Sequence, residues 1–326
     1  MALKGIRLTL PKDPVLHAEK ITILDDWISK DIEWRGTRAK FIVVNPQNHK
    51  FFLVKFPMYG SAEIYFELFN CYLGKNLGLK YADYFMARHK GKLCIATKSF
   101  LKVGDVVSEL WEMKDLICYY ASRKTDLSFK YGRSPEVLRE HHIDQIYEIL
   151  LEEFGEKILP DFFRMIGFDC LTGHGDRHWE NYGVLIINNT VTNSVEFKFA
   201  PIYDTAYGYL LETSDEKSKV MLNDGTLDDD KWYSPRIRGL CKITIENNIK
   251  ASHVDLFKYI LQHENYKKYS KYMVEIVDKF DNRLVKKILD LAPLKVGLSD
   301  IRKDVIIKVL DKRSDILKRL VAENKI

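Results

Sequence analysis

Residues 174–181 read His-Gly-Asp-Arg-His-Trp-Glu-Asn, and Asp204 closes the later run Ala200-Pro201-Ile202-Tyr203-Asp204. These are a carboxylate (Asp176), a carboxamide five positions on (Asn181) and a second carboxylate downstream (Asp204). Transfer of a phosphoryl group from a nucleoside triphosphate needs little covalent chemistry from protein. It needs a positioned nucleophile and cations that neutralise phosphate oxygens. Asp176 is suited to orient an acceptor hydroxyl and take its proton. Asn181 and Asp204 are suited to offer hard oxygens to Mg²⁺, which keeps several waters beside few protein ligands. His178 is placed either to contact the γ-phosphate or to brace the loop. Protein kinases set a base Asp and a metal-binding Asn at this same interval, with a further Asp for the metal.

ATP as the donor requires elements that hold these groups and bring cations to its phosphates. The apolar segment Ile158–Leu171 predicts a core helix that feeds the loop Gly173–Asn181. Tyr182–Ile187 and Val195–Phe199 predict a hairpin across an Asn-rich turn, which returns the chain so that Asp204 faces Asn181. Upstream, Lys40–Val44 and Phe51–Phe56 flank the turn residues Asn45-Pro46-Gln47-Asn48 and predict another hairpin. Lys55 lies inside its apolar second strand. A buried lysine needs partners, and phosphates plus a helix glutamate supply them; a lysine facing solvent from one strand face is the alternative. Ser61–Leu77 predicts a helix capped by Ser61 and ended by Gly78. On it Glu67 is suited to reach Lys55, and Glu63 to sit at the positive helix start. The segment 35–40, with Gly36, Thr37, Arg38 and Lys40, is suited to lie over phosphates through backbone N–H groups and cationic side chains. It holds one glycine, so alone it reads equally as a basic surface loop. Two further strands, Tyr81–Ala87 and Leu93–Thr97, complete a small lobe. The backbone of Ser99, Phe100 and Leu101, leaving the last strand, is where adenine would bond.

The resulting expectation is α+β: a two-lobed kinase-like fold, with a β-rich lobe over 1–102 and a larger, mostly helical lobe over 103–326. The chain of 326 residues is long enough for two cores. Its remaining pattern gives a short helix over Ile21–Lys30 and helical character from about Gly104, mixed over Val106–Tyr120 and clearly periodic over Glu136–Phe154. Ser214–Arg238 reads as a polar, mobile or substrate-facing segment containing Asp228-Asp229-Asp230. Long helices are expected over Tyr266–Leu291 and Ile301–Val321, separated by Ala292-Pro293.

Composition excludes several classes. Nothing approaches the roughly 18 apolar residues of a membrane span, and the amino terminus lacks the apolar core of a secretory signal. Five scattered cysteines without a C-x-x-C pair argue against a disulfide framework or structural zinc, and for a cytoplasmic, reducing setting. A net charge of +5 does not call for nucleic acid. The basic residues near the carboxyl end (Lys308, Lys312, Arg313, Lys318, Arg319, Lys325) read as a solvated helix face, or as a weak dock for an acidic partner.

The chain resembles the HipA-like serine/threonine kinases at several separated places. Gly36-Thr37-Arg38-Ala39-Lys40 is similar to the family's phosphate loop, and Leu53-Val54-Lys55-Phe56-Pro57 to its lysine strand. Glu67 followed by Leu77-Gly78-Leu79 is similar to its regulatory helix and helix end. Gly173–Asn181 resembles its catalytic loop, and Ala200–Asp204 its metal-binding segment. The resemblance implies ATP and Mg²⁺, transfer to a protein hydroxyl, and autophosphorylation. It puts catalysis on Asp176, metal on Asn181 and Asp204, and nucleotide contact on Lys55. It alone carries the further expectation of an exported virulence effector that acts on a host signalling protein by a signal-independent route. Two departures stand out. The position of the serine that HipA toxins phosphorylate aligns with Glu33, so that regulatory switch is not expected here. The chain is shorter than the toxins at its amino end, so the usual antitoxin and DNA partnership is not assumed. The loop also resembles the H-G-D-x-x-x-x-N loop of aminoglycoside and choline kinases and the D-R-H-x-x-N loop of phosphoinositide kinases, so small-molecule acceptors remain an alternative. A pseudokinase binding module is a third reading, which the intact Lys55, Asp176, Asn181 and Asp204 oppose.

Overall fold

The structure is a computed structural model that describes residues 21–30, 40–102, 104–123, 141–233, 241–245 and 251–324. Glu33, Gly36, Thr37 and Arg38 lie outside these residues. Along the chain run β1 (Thr22–Ile23), β2 (Ile28–Lys30), β3 (Lys40–Val44), β4 (Phe51–Lys55), α1 (Ala62–Asn76), β5 (Tyr84–His89) and β6 (Lys92–Lys98). Then come β7 (Val106–Glu112), α2 (Met113–Arg123), β8 (His141–His142), α3 (Ile143–Phe154), α4 (Leu159–Thr172), β9 (Gly183–Asn189) and β10 (Ser194–Phe199). The remainder holds α5 (Asp215–Asn223), β11 (Ile243–Thr244), α6 (His253–Gln262), α7 (Glu264–Lys279), α8 (Asn282–Leu289), α9 (Ala292–Gly297) and α10 (Asp300–Glu323). The fold is mixed α+β. It divides into two compact units, the first of Met1–Phe100, Asp204–Asp224 and Asp281–Lys308, the second of Leu101–Tyr203, Gly225–Phe280 and Val309–Ile326.

In the first unit a six-stranded sheet has the order β1-β5-β6-β4-β3-β2, antiparallel except for the β1–β5 pair. Leu24, Val43, Phe52, Val54, Phe85, Ala87, Cys94 and Ala96 close its core, with Trp27 packed against them. Residues 21–30 therefore form two edge strands rather than the expected helix. Leu24 and Trp27 gain burial on the sheet, and Ile28–Lys30 gain backbone partners along β3. Helix α1 is buried from Glu63 to Gly74 and packs against β5, α8 and α9. Ser61 makes no capping bond; Glu63 instead folds back to accept from the N–H groups of Met58 (2.8 Å) and Tyr59 (3.0 Å). Gly78 ends the helix at φ +88°, a conformation glycine adopts without steric cost.

In the second unit α4 is the central helix, apolar and buried along most of its length. It packs closely on α7: a Cβ built on Gly167 would lie 2.9 Å from the Met273 Cα, and the Phe163 and Tyr269 rings stack at 5.3 Å. β9 and β10 form the expected hairpin, pairing Val184 with Phe199 and Asn189 with Ser194. β7 joins the other edge of β9, within the segment Val106–Tyr120 that the sequence left mixed. The second edge of β9 needs backbone partners, and the β-branched Val106-Val107 suit a strand.

Other expected boundaries moved. The helix expected over Tyr266–Leu291 breaks at Phe280, where Asp281 caps α8 by accepting from the Arg283 N–H at 2.7 Å. Ala292-Pro293 opens the short helix α9 instead of merely separating two others, since proline is tolerated in a first turn. Of the segment expected to be mobile, 215–223 is helical and capped by Ser214. Asp230 pairs with Lys312 (2.7 Å) and Arg319 (2.6 Å), so acid and basic runs partly neutralise each other.

Candidate active site

In the first unit the strand lysine finds its carboxylate. Lys55 is 5% exposed, and its Nζ lies 3.0 Å from the Asp204 Oδ2. Lys40 stands directly across the β3–β4 ladder from Lys55 and brings its own Nζ to 3.8 Å from the same oxygen. Like charges facing each other across a ladder destabilise it, and here one carboxylate lies between them. Asp204 itself is left-handed, at φ +53°. Such backbone costs a non-glycine residue on the order of 1 kcal/mol and persists where its surroundings impose it, commonly at functional sites.

The surroundings that impose it are side chains of α1 and β5. The Asp204 N–H donates to the Tyr84 hydroxyl at 3.0 Å. The next two N–H groups, of Thr205 and Ala206, donate to the Glu67 carboxylate at 2.9 and 3.1 Å. Asn70 Nδ2 donates to the Thr205 carbonyl at 2.6 Å, and the Tyr209 hydroxyl donates to Asn70 Oδ1 at 2.7 Å. Tyr81 and Thr205 join their hydroxyls. Glu67 is thus bonded to backbone N–H groups and not to Lys55 as expected, although it feels that charge. Burial pushes the Glu67 carboxyl up, Lys55 pulls it back, Asp204 pushes it further up, and the Thr205 N–H and Tyr84 hydroxyl oppose. Burial likewise drives the Tyr84 phenol well above its ordinary value, with the Glu67 and Asp204 charges adding to the effect.

In the second unit the loop 174–181 is built around Arg177, which is completely buried. Its Nε and Nη2 bind the two oxygens of Asp169 on α4 at 2.8 and 2.9 Å. Its Nη1 donates to the carbonyls of Asn181 (2.8 Å) and Tyr203 (3.0 Å). Burial raises the Asp169 pKa, and Arg177 opposes that rise. Gly173 turns the chain out of α4 at φ +69°, and a Cβ there would lie 2.6 Å from the Arg313 guanidinium carbon. The loop is pinned further along. His253 Nε2 lies 3.0 Å from the His174 carbonyl, Lys114 pairs with Glu180 at 2.7 Å, and the Tyr203 hydroxyl donates to the Glu180 carbonyl at 3.0 Å.

Within this frame Asn181 is 5% exposed, and its Nδ2 donates to the Asp176 carbonyl at 2.7 Å. Its Oδ1, a hard neutral oxygen, is the atom left to ligate a cation. His178 braces the loop: its Nδ1 accepts from the Glu180 N–H at 3.2 Å, and its carbonyl accepts from the Asn181 N–H at 2.9 Å. At the end of β6 the Ser99 N–H donates to the Phe51 carbonyl at 2.9 Å. Phe100 closes that stretch of the first unit, and Leu101 opens the second. Among the described residues no group of three or more His, Cys, Asp or Glu is placed to hold a metal ion. Arg177, Asp169, Tyr84, Asn70 and Thr205 are the site-building residues the sequence reading missed.

A model of the HipA-like C-terminal domain matches residues 32–287. The chain belongs to this HipA-like family. The serine/threonine-protein kinase CtkA of Helicobacter pylori is 25% identical to it over 277 residues, covering 82% of this chain and 77% of CtkA. The crystal structure of H. pylori proinflammatory kinase CtkA superposes with a TM-score of 0.70 at 19% identity, over 93% of this chain and 99% of that one. HipA of Shewanella oneidensis, solved with HipB and operator DNA, superposes with a TM-score of 0.51 at 12% identity, over 90% of this chain and 67% of that one. The fold of this HipA-like chain is therefore kinase-like. Among its described residues no helix is long and apolar enough to cross a membrane.

Proposed function

We propose that this HipA-like chain is a serine/threonine protein kinase that transfers the γ-phosphoryl group of Mg-ATP to a protein hydroxyl. The observation that carries the reading is Asp204, a left-handed carboxylate paired with the strand lysine Lys55. The likeness to a serine/threonine-protein kinase over most of the chain supports a protein acceptor over a sugar or lipid.

Mg-ATP supplies the electrophilic phosphorus and the charge neutralisation that phosphoryl transfer needs. In the reading, Asp204 and Asn181 Oδ1 are the metal ligands, and Lys55 and Lys40 meet phosphate oxygens. Gly36, Thr37 and Arg38 contribute the phosphate loop, and Ser99, Phe100 and Leu101 offer backbone to adenine. Asp176 orients the acceptor hydroxyl and receives its proton, while His178 braces the loop that carries it. Glu67 supports the site by holding the backbone after Asp204. We include autophosphorylation in the reading, at a residue other than the Glu33 position. Export and action on a host signalling protein also belong to the proposal, and rest on resemblance to the Helicobacter kinase alone.

The test is to incubate the protein with Mg-ATP and a generic protein substrate, then follow phosphate incorporation by intact mass and peptide mapping. Asp176→Ala is expected to abolish transfer and keep nucleotide binding. Asp204→Ala is expected to weaken Mg-ATP binding as well. Nucleotide binding without transfer to protein, but with transfer to an aminoglycoside, choline or phosphoinositide, would replace the protein acceptor by a small molecule. Undiminished transfer by Asp176→Ala would remove the base assignment.

A further inference from the structure

Three consecutive backbone N–H groups, those of residues 204, 205 and 206, are all taken by side-chain oxygens from α1 and β5. The Tyr84 hydroxyl accepts from the Asp204 N–H, and the Glu67 carboxylate accepts from the N–H groups of Thr205 and Ala206. The strand tyrosine and the helix glutamate thus hold one run of backbone from two elements. Tyr84 is 1% exposed and Glu67 2% exposed, so water cannot replace either acceptor without opening the core. Without the hydroxyl, the Asp204 N–H loses that buried acceptor, and the backbone of Asp204, left-handed at φ +53°, loses one of the side chains that hold it.

From this we infer that Tyr84 is a positioning residue for the metal carboxylate: it fixes the backbone of Asp204, and so sets where the carboxylate meets Mg²⁺. The inference rests on the reading of Asp204 as a metal ligand. It assigns to β5, a strand with no residue in the phosphoryl-transfer motifs, a part in cation affinity. Lys55 restrains the Asp204 carboxylate from the side-chain end and Tyr84 restrains it from the backbone end. Only the second restraint persists when a cation competes for the carboxylate.

Tyr84→Phe removes the hydroxyl and keeps the ring in its buried place. Tyr72→Phe is the control, because Tyr72 is also buried on α1 and its hydroxyl has no hydrogen-bond partner among the described residues. ATP binding is measured by calorimetry at fixed nucleotide and varied Mg²⁺, then repeated without metal, with thermal unfolding recorded for each variant. Partners that orient a metal ligand typically change metal affinity by roughly ten- to hundredfold, so the half-saturating Mg²⁺ of Tyr84→Phe is expected to rise by about tenfold. Its metal-free ATP affinity and the behaviour of Tyr72→Phe are expected to match wild type. A merely structural tyrosine would lower the unfolding temperature and leave the Mg²⁺ half-saturation unmoved, which overturns the inference. If Tyr84→Phe does not fold, Glu67→Gln serves in its place. It puts an amide N–H against a backbone N–H and is expected to raise the Mg²⁺ requirement likewise, and an unchanged requirement again overturns the inference. Wild-type protein whose nucleotide binding ignores Mg²⁺ overturns the functional reading and this inference with it. Wild-type protein that responds to Mg²⁺ as Tyr84→Phe does overturns this inference alone.

Discussion

Replacing Arg177 with methionine is expected to be the most damaging single change in the loop 174–181. The guanidinium is wholly buried and makes two bonds to Asp169 and one to each of two carbonyls, all between 2.8 and 3.0 Å. Methionine fills similar volume and supplies no donor. Asp169, itself 3% exposed, then keeps a buried carboxylate without its partner. Breaking a buried pair in this way costs about 3–5 kcal/mol, and the orphaned Asn181 and Tyr203 carbonyls add roughly 1 kcal/mol or more each. At about 2–4 °C per kcal/mol for a unit of this size, the unfolding temperature is expected to drop by on the order of 10 °C or more. The diagnostic comparison is the double variant Arg177→Met with Asp169→Leu. It removes both charges, and replacing a buried pair by apolar groups is often close to neutral. The double variant is therefore expected to recover part of the loss, measured by differential scanning calorimetry and urea unfolding. It is expected to remain inactive, because the two carbonyls stay unclamped. If the single variant melts with wild type, or the double variant melts no higher than the single, Arg177 is not the keystone of the loop.

Two further outcomes follow from the ionisable groups. The Ser299 hydroxyl and the Arg302 guanidinium hold the Asp215 carboxyl below its ordinary range. An acid whose folded pKa is depressed stabilises above its unfolded pKa and loses that contribution as pH falls through the folded value. Asp215→Asn is thus expected to melt below wild type at neutral pH, and the two melting curves are expected to converge well below pH ~4. Burial pushes the thiols of Cys71 up to about 11, and those of Cys94 and Cys241 up to about 12. Cys170 is pushed well above its ordinary value by the same cause, while Cys118 is exposed. Since the thiolate is the reactive form, native protein with iodoacetamide at mildly alkaline pH is expected to label at Cys118 first. Unfolded protein is expected to label at all five cysteines; equal rates in the native state would contradict the burial.

The sequence made the chemistry legible because the chemistry is local. Asp176, His178 and Asn181 lie within one loop, and Lys55 announced itself as a charge inside an apolar strand. The same rule extends to Asp169, an acid between Phe168 and Cys170 in an apolar helix, which marks a buried carboxylate in need of a cation; that the cation is Arg177 is a property of the fold. Tyr84, Asn70 and Thr205 carried no such mark. Their hydroxyls and amide meet across 120 or more residues, and a buried tyrosine in a strand is an ordinary core residue until its partner is known. Glu67 was the right residue with the wrong bond. Charge complementarity is readable from sequence, whereas the availability of free backbone N–H groups at a left-handed turn is a property of the fold. The edge strands over 21–30 were missed for a related reason: a neighbour's unpaired edge outweighed the local pattern.

That wrong bond matters for the site. A strand lysine paired with a helix glutamate can still meet phosphates, so what differs here is which carboxylate holds Lys55 before a nucleotide arrives. The backbone N–H groups of Thr205 and Ala206 satisfy Glu67, leaving Lys55 and Lys40 both directed at Asp204. Under the proposed function a cation held by Asp204 would weaken that carboxylate's hold on both lysines, because a metal-bound carboxylate is a poorer partner for ammonium groups, and the lysines would then be available to phosphate oxygens. Metal and nucleotide are accordingly expected to favour each other's binding, and that coupling must be reciprocal. Its strength is set on the protein side by how firmly the backbone N–H bonds to Glu67 and Tyr84 keep Asp204 in place while its charge changes partners.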